Sequence, residues 1–300
     1  MTLMPISRRS LLCVPLAGLA ASDPASAQQR RSLADPLRLG VDRALMDSGL
    51  APALLHAFGA DTGIAVRPVA GPAVPLLKAL EQGEIDAALT NAAEAETRLD
   101  QQGLAHDRQT VATGEFVIVG PSVRGMSGGK GRVGKGAGST GGTGKGSASG
   151  GGAGEDVFGP ALSHDAGAAL KRLAQADPAS FIFLTAADGS GAHMAEQALW
   201  RGAGVAPASP WYVALAPGED LMAQARARGA FAVVERGAWL ARGGAPLAIR
   251  VDGDPLQAES VHVMRAFRVN HPAGKIFVAW IASAKGRRVV AAQRGYRSPV

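Results

Sequence analysis

Two short polar loops in this sequence have the composition of anion-binding sites. The first is Asp47-Ser48-Gly49, after an apolar run at 37–41, and the second is Asp188-Gly189-Ser190-Gly191, after an apolar run at 181–185. A stretch with helical periodicity follows each loop, so each is expected at the N-terminus of a helix. Free N–H groups and the positive end of the helix dipole can bind an anion there. Taken singly, each loop is more typical of an ordinary helix cap.

Asp188, Ser190 and His193 are residue types that can perform nucleophilic catalysis, but their spacing argues against it. A hydrolase nucleophile elbow centred on Ser190 needs glycine two residues to either side, where Asp188 and Ala192 stand. His193 follows on the same helix and would be badly aimed at the serine. The six histidines lack metal-ligand spacing, so His193 is predicted to cap the helix or line a cleft. The sequence predicts no catalytic residue, no metal site and no cofactor.

Arg236 and Trp239, in segment 235–240, are further candidates for ligand contact. A guanidinium group suits oxyanions, and an indole ring can form the wall of a cleft. A surface arginine and a packed tryptophan are the alternative interpretation.

Apolar runs alternate with helix-like stretches from residue 37 onward, which indicates an α/β fold with βα units and a mainly parallel sheet. Strands are predicted at 37–41, 64–69, 85–90, 116–119, 181–185, 211–215, 231–235, 247–251 and 261–269. Helices are predicted at 48–60, 72–81, 92–102, 165–174, 190–201 and 220–228, and within 276–293. In the first helix, Ser48 is the expected N-cap and Gly63 lies just past the end, while Leu50, Leu54, Leu55 and Phe58 share a core-facing side.

The first 27 residues have the features of a secretion signal. Arg8 and Arg9 precede a short apolar stretch, and Ala25-Ser26-Ala27 is typical of a cleavage site. The paired arginines indicate twin-arginine export, with ordinary secretion as the alternative. We therefore expect a periplasmic protein. Its only cysteine, Cys13, lies within the signal.

The segment 125–154 is predicted to be a disordered surface insertion, because fifteen of its thirty residues are glycine. This segment and the signal carry most of the net charge of +6, which leaves about +1 for the rest of the chain. A basic face for nucleic acid is therefore not indicated. About 270 residues remain after the signal, more than a typical single domain, which favours two lobes.

Further stretches are informative in combination. They are Asp47-Ser48-Gly49-Leu50, Phe58 with Thr62-Gly63-Ile64, 92–96, 116–121, Asp188 with Ser190-Gly191 and His193, Trp211-Tyr212, Glu235-Arg236-Gly237 with Trp239-Leu240, and 251–255. In this order they resemble the tungstate-binding proteins of bacterial ABC importers, within the type II periplasmic binding-protein superfamily. The resemblance implies two lobes, one formed by 33–119 and 262–300 and the other by 120–261. It also implies hinge closure on an oxyanion and delivery to an ABC permease in the inner membrane.

The resemblance fails at the residues that would hold the anion. Where the family has a run of threonines and serine before its Asp-Ser-Gly, this chain has Asp42-Arg43-Ala44-Leu45-Met46, and the family's arginine and threonine around the second loop correspond to Ala186 and Ala192. Arg43 could replace the missing arginine, with Asp42 orienting it. Alternatively, the Asp42 carboxylate would repel tungstate and favour a cationic or zwitterionic solute. The spacing does not decide between these two, and a changed specificity is favoured.

We therefore expect a monomeric, non-enzymatic substrate-binding component of an ABC importer. Its ligand is expected to be a small solute, either an oxyanion of the tungstate or molybdate type or a changed ligand. The expected ligand-binding residues are Asp42, Arg43, Ser48, Asn91, Ser190, Gly191, His193 and Arg236. A ligand-sensing or interaction protein that keeps the fold without transport is the alternative.

Overall fold

The computed structural model describes residues 29–30, 32–121 and 158–299, so the predicted signal and the glycine-rich segment lie outside the described residues. The strands are β1 (Gln29–Arg30), β2 (Leu37–Asp42), β3 (Val66–Gly71), β4 (Ala87–Thr90), β5 (Ala105–Pro121), β6 (Phe183–Thr185), β7 (Tyr212–Ala214), β8 (Ala232–Glu235), β9 (Leu247–Val251), β10 (Ala258–Ala266) and β11 (Val269–Asn270). The helices are α1 (Arg43–Asp47), α2 (Leu50–Thr62), α3 (Ala73–Gln82), α4 (Ala93–Gln101), α5 (Ala166–Ala174), α6 (Gly191–Gly202), α7 (Leu221–Arg228), α8 (Arg236–Arg242), α9 (Pro272–Ile281) and α10 (Ala284–Ala291).

A mixed seven-stranded sheet connects the two lobes, in the order β3-β2-β4-β10-β5-β8, with β9 also paired to β5. β2 is parallel to β3 and β4, whereas β10 is antiparallel to β4 and β5. β8 and β9 also pair with β5 in the antiparallel sense. The prediction of a mainly parallel sheet is therefore wrong for the central part of the fold, where the chain returns between lobes without a crossover helix.

The long strand β5 passes from one lobe to the other. Its residues up to Glu115 pair with β10, and its residues from Phe116 pair with β8 and β9. The sequence predicted only the apolar part at 116–119. The preceding half of β5 is largely polar and has no apolar run to mark it as a strand.

The first lobe has its core between the sheet and helices α2, α9 and α10. Leu54 and Phe58 on α2 are fully buried, as predicted, and Phe58 packs edge-on against Phe277, with ring centroids 5.0 Å apart. The second lobe is packed around β5 and helices α5 to α7, with Trp200 edge-on to Phe183 at 5.1 Å. Within the described ranges no helix is long and apolar enough to cross a membrane.

Two short helices, α1 and α8, were not predicted, and both border the candidate ligand site between the lobes. α1 has five residues and α8 has seven, too few for a clear helical periodicity, and they contact each other across the two lobes. The presence of α1 also corrects the predicted cap, because Ser48 is the C-cap of α1 and Gly49 is the N-cap of α2. Gly49 has φ of 86°, a left-handed conformation that glycine adopts without strain. The helical stretches predicted within 276–293 correspond to α9 and α10, although α9 begins earlier, at Pro272.

Candidate ligand site between the lobes

Asp42 ends β2 and lies where helices of both lobes begin. Its side chain is fully buried. Oδ1 accepts a hydrogen bond from the backbone N–H of Ala44 in α1 at 3.0 Å, and Oδ2 accepts one from Gly191 in α6 at 3.3 Å. The second bond crosses from one lobe to the other. The carboxylate thus lies at the kind of position where a helix N-terminus binds an anion.

The environment of Asp42 both raises and lowers its pKa. Burial is the largest cause and raises the pKa to about 6, from a usual value of 3.8. Hydrogen bonds from the backbone of Ala44, Gly191 and Ala73 lower it, while the charge of Asp188 raises it. Ala73 is the first residue of α3. At neutral pH Asp42 is therefore mostly ionised, and its charge is stabilised by N–H groups at three helix N-termini.

A second group of acidic residues lies beside Asp42, held together by Asn91. Asn91 directly follows β4, and because β4 is parallel to β2, it lies at the same edge of the sheet as Asp42. Its Nδ2 donates to Oε1 of Glu235 at 2.6 Å and to Oε1 of Glu259 at 2.9 Å. Glu235 ends β8 in the second lobe, and Glu259 lies in β10. The Asn91–Glu235 bond therefore also links the two lobes.

The three side chains of this cluster are almost completely buried, with exposed fractions of 4% for Asn91 and 1% for each glutamate. Each has one atom without a hydrogen-bond partner: Oδ1 of Asn91, Oε2 of Glu235 and Oε2 of Glu259. Among the described ion pairs, no arginine, lysine or histidine pairs with Asp42, Glu235 or Glu259. Uncompensated buried charge is costly, so protons or a cation must neutralise the glutamates.

The pKa values of the two glutamates reflect this cost. Burial, followed by repulsion from Glu259 and Asp42, raises the pKa of Glu235 well above its usual value. Burial also raises the pKa of Glu259 to about 8, although the Asn91 amide opposes the shift. Contact between the lobes therefore favours the protonated form of both side chains.

Tyr296 and Ser48 border this acidic cluster. The Tyr296 hydroxyl donates to Ser48 Oγ at 3.0 Å, and Ser48 Oγ donates to the carbonyl of Leu45 at 3.2 Å. Burial raises the pKa of Tyr296 well above its usual value, and the charges of Glu259 and Glu235 add to the shift. Ser48 therefore lies beside the acidic cluster with its hydroxyl engaged with Tyr296, and its contact with a ligand stays a prediction.

The N-cap Ser190 and the first turn of α6, which contains Gly191 and His193, lie on the other side of Asp42. Ser190 is the N-cap, and its Oγ accepts from the backbone of His193 at 3.3 Å. His193 Nδ1 accepts from the backbone of Gly189 at 3.0 Å, and burial lowers its pKa. His193 is therefore a neutral side chain that orders the loop, while Gly191 is the residue that contacts Asp42.

Gly191 allows the lobes to approach closely, because a Cβ at this position would overlap Oδ1 of Asn91. We expect Gly191→Ala to separate the lobes here and to lengthen the hydrogen bond to Asp42. Small-angle X-ray scattering should then show a larger radius of gyration. Gly202→Ala, in the same helix, is the matched control, since its Cβ would meet only Leu256 at 3.4 Å. An unchanged scattering profile for Gly191→Ala would contradict the proposed contact.

Two predicted site residues, Arg43 and Arg236, have no described side-chain hydrogen bond or ion pair with Asp42. Arg43 is exposed on α1, and both Asp42 oxygens accept from backbone groups, so Asp42 does not orient it. Arg236 begins α8 and pairs with Glu115, Nε to Oε2, at 2.7 Å and with Asp252. It also lines a pocket of about 480 Å³ on the β5 side, together with Thr113, Gly114, Glu115, Leu240, Gly295, Tyr296 and Arg297. A ligand role for either arginine remains a prediction.

The ion pairs of Arg236 lead us to expect a structural contribution. Arg236→Met should lower the free energy of unfolding by about 1 to 2 kcal/mol, because Glu115 and Asp252 lose their half-buried partner. Urea unfolding at low and high salt measures this effect. Arg228→Met, on an exposed stretch of α7, is the control. Unchanged stability combined with lost solute binding would instead favour a ligand role for Arg236.

Comparison with known proteins agrees with the two-lobed architecture. Residues 27–284 match the family model described as a PBP superfamily domain. The tungstate-binding protein TupA of Peptoclostridium acidaminophilum is 25% identical over 288 residues, which cover 93% of this chain and 89% of the relative. The tungstate ABC transporter structure from Geobacter sulfurreducens has a TM-score of 0.65 at 24% identity, and covers 87% of this chain and 99% of its own. The structure of the tungstate-binding protein TupA from Desulfovibrio alaskensis G20 has a TM-score of 0.59 at 22% identity, and the match covers 89% of this chain and 100% of that protein.

Proposed function

Because the chain belongs to the PBP superfamily, we propose that it is the substrate-binding component of an ABC importer. In this role it is exported to the periplasm, captures a small solute between its lobes and delivers it to a permease in the inner membrane. Two observations support the proposal: the two-lobed type II periplasmic binding-protein fold, and a cluster of buried polar groups contributed by both lobes. The protein acts as a monomer and catalyses no reaction.

The ligand of this protein differs from the tungstate-type oxyanion named for its relatives. The observation that carries this proposal is the position of Asp42, whose carboxylate accepts hydrogen bonds from helices of both lobes. An incoming oxyanion must either displace this carboxylate or lie beside it. Two unit charges about 4 Å apart repel by about 4 kcal/mol at an effective dielectric constant of about 20, and a divalent oxyanion is repelled more strongly. The negative charge of Asp42 thus lowers the affinity of the cleft for oxyanions.

Binding and transport assays test the proposed function in two stages. The exported protein is first screened by thermal shift against tungstate, molybdate, sulfate, phosphate, amino acids, amines and a periplasmic small-molecule extract. A bound solute at about 100 times its Kd stabilises the folded state by about 2.7 kcal/mol. The loaded protein is then added to vesicles that contain an ABC permease with its ATPase from the same organism. Solute-dependent uptake supports transport, binding without uptake favours the sensing alternative, and absence of any stabilising solute contradicts both.

A further inference from the structure

The acidic cluster of Asn91, Glu235 and Glu259 has a feature that the Asp42 carboxylate does not explain. Each of its three side chains is more than nine-tenths buried and has one hydrogen-bond acceptor without a partner. We propose that this cluster, with Asp42 beside it, is the subsite for a primary ammonium group of the solute. The inference rests on the proposed solute-binding function and narrows it to a class of ligand, a small amine or amino-acid-like zwitterion.

Opening of the lobes would convert the cluster into a negatively charged site. Asn91 belongs to the first lobe and Glu235 to the second, so their hydrogen bond must break when the lobes separate. The bond between Asp42 and Gly191 must break as well. In contact with water, carboxyl groups ionise near pH 4, so at neutral pH the open cleft presents three carboxylates. A cationic group entering this cleft would compensate the charge that closure buries.

An ammonium group fits the cluster better than a metal ion, because it can donate hydrogen bonds to the unpaired oxygens. A primary ammonium has three N–H donors, and the cluster has three oxygens without a partner, one of them the neutral amide oxygen of Asn91. The two glutamate oxygens become full acceptors once their carboxyl groups have released their protons. In the described part of the chain, no group of three or more His, Cys, Asp or Glu residues is arranged to hold a metal ion.

Two glycines allow the backbone to approach these buried acceptors closely, and no side chain has to move aside to expose them when the lobes separate. A Cβ at Gly191 would overlap Oδ1 of Asn91, and a Cβ at Gly114 would lie 2.5 Å from Oε2 of Glu259. Both oxygens therefore face backbone instead of a covering side chain. Any larger residue at either position would occupy the space next to the acceptor.

The proposal links ammonium binding to proton release. Several groups face the cluster: Asp42 on β2, Glu235 on β8, Glu259 on β10, Tyr296 after α10, Asp47 on α1 and Asp188 before α6. Asp47 is paired with Arg242 of α8 at 3.3 Å, and no ion pair is described for the other groups. In the absence of solute, closure of the lobes therefore favours protonated glutamates. When the lobes of the solute-free protein are in contact, as in this structure, a bound ammonium replaces a proton as the compensating positive charge. Amine binding should therefore weaken as the pH falls, by about tenfold per pH unit for each displaced proton.

Isothermal titration calorimetry of the exported protein tests the subsite directly. The probes are ethanolamine, putrescine, glycine and lysine, at pH 6 and pH 8, each in two buffers of different ionisation enthalpy. Choline is the matched counterpart of ethanolamine, because it keeps the positive charge and lacks the N–H donors. We expect at least one primary amine to bind, with higher affinity at pH 8, release of a proton and no comparable binding of choline. Equal binding of choline or displacement of the amine by Na⁺ or Ca²⁺ would overturn recognition through N–H donors.

Variants locate the binding in the cluster. The double variant Glu235→Gln/Glu259→Gln keeps the side-chain shapes and removes both charges, so it should fold and lose at least about a hundredfold in amine affinity. Glu84→Gln, an exposed position, is the control and should bind normally. Undiminished amine binding by the double variant would overturn the assignment. Binding of another solute but of no primary amine would also overturn it while leaving the proposed function intact, whereas failure of every solute would count against both.

Discussion

Replacement of Asp42 by serine is expected to increase the affinity of this protein for tungstate by about a hundredfold to a thousandfold. The substitution removes a buried negative charge and frees the N–H groups of Ala44 and Gly191 to bind an oxyanion. It also returns a hydroxyl donor to this position. Relief of about 4 kcal/mol of repulsion per charge pair corresponds to almost three powers of ten in Kd. Calorimetric titration with tungstate at pH 7.5 measures the change.

Two further variants control for this result. Asp42→Glu keeps the charge and should remain a poor tungstate binder, and Asp100→Ser removes an exposed charge on α4 and should have no effect. If the unaltered protein binds tungstate tightly, or if Asp42→Ser binds it no better, then Asp42 does not set the specificity of the cleft.

Glu259→Gln is expected to stabilise the ligand-free protein at pH 8 by about 2 to 4 kcal/mol. A glutamate in the unfolded chain has a pKa of 4.5, whereas burial raises the pKa of Glu259 in the folded protein to about 8. Between these values the folded state binds more protons than the unfolded state, so stability falls as the pH rises. The raised pKa of Asp42 likewise lowers the stability as the pH rises from 3.8 to about 6.

Urea unfolding at pH 5, 6.5 and 8 measures this dependence. The unaltered protein should be most stable at pH 5 within this range, and Glu259→Gln should flatten the decline toward pH 8. Glu84→Gln should retain the full decline, since that side chain is exposed. If Glu259→Gln is less stable than the unaltered protein at pH 8, then the charge of Glu259 is compensated in the folded protein, which contradicts this prediction.

The parts of the fold that burial determines were predictable from the sequence. β2, β4, α2 and α6 are found close to their expected positions, because apolar periodicity reports directly on which face is buried. The polar half of β5 was missed because its order comes from pairing with β10, which local sequence does not reveal. α1 and α8 were missed because they are stabilised by contact between lobes instead of by their own periodicity.

The candidate site was predictable only in part, for a similar reason. Asp42, Asn91 and Gly191 follow strands or open a helix, so their position in the chain indicated the cleft edge. Glu259 lies in β10 ahead of the predicted strand start, and Tyr296 follows the last helix, so neither gave a signal. Arg236 has the right chemistry for an anion, but its pairing with Glu115 depends on the register of β5 and β8.

The backbone amide of Gly191 provides the most direct test of the claim that Asp42 takes the place of a bound anion between the lobes. Its ¹H–¹⁵N resonance can be followed from pH 4 to pH 8 in the ligand-free protein, with Asp42→Asn as the control. The hydrogen bond to Asp42 Oδ2 predicts a shift of this resonance with a midpoint near the Asp42 pKa of about 6, and loss of that shift in Asp42→Asn. A Gly191 amide that does not respond to pH, or that titrates equally in Asp42→Asn, would contradict the claim.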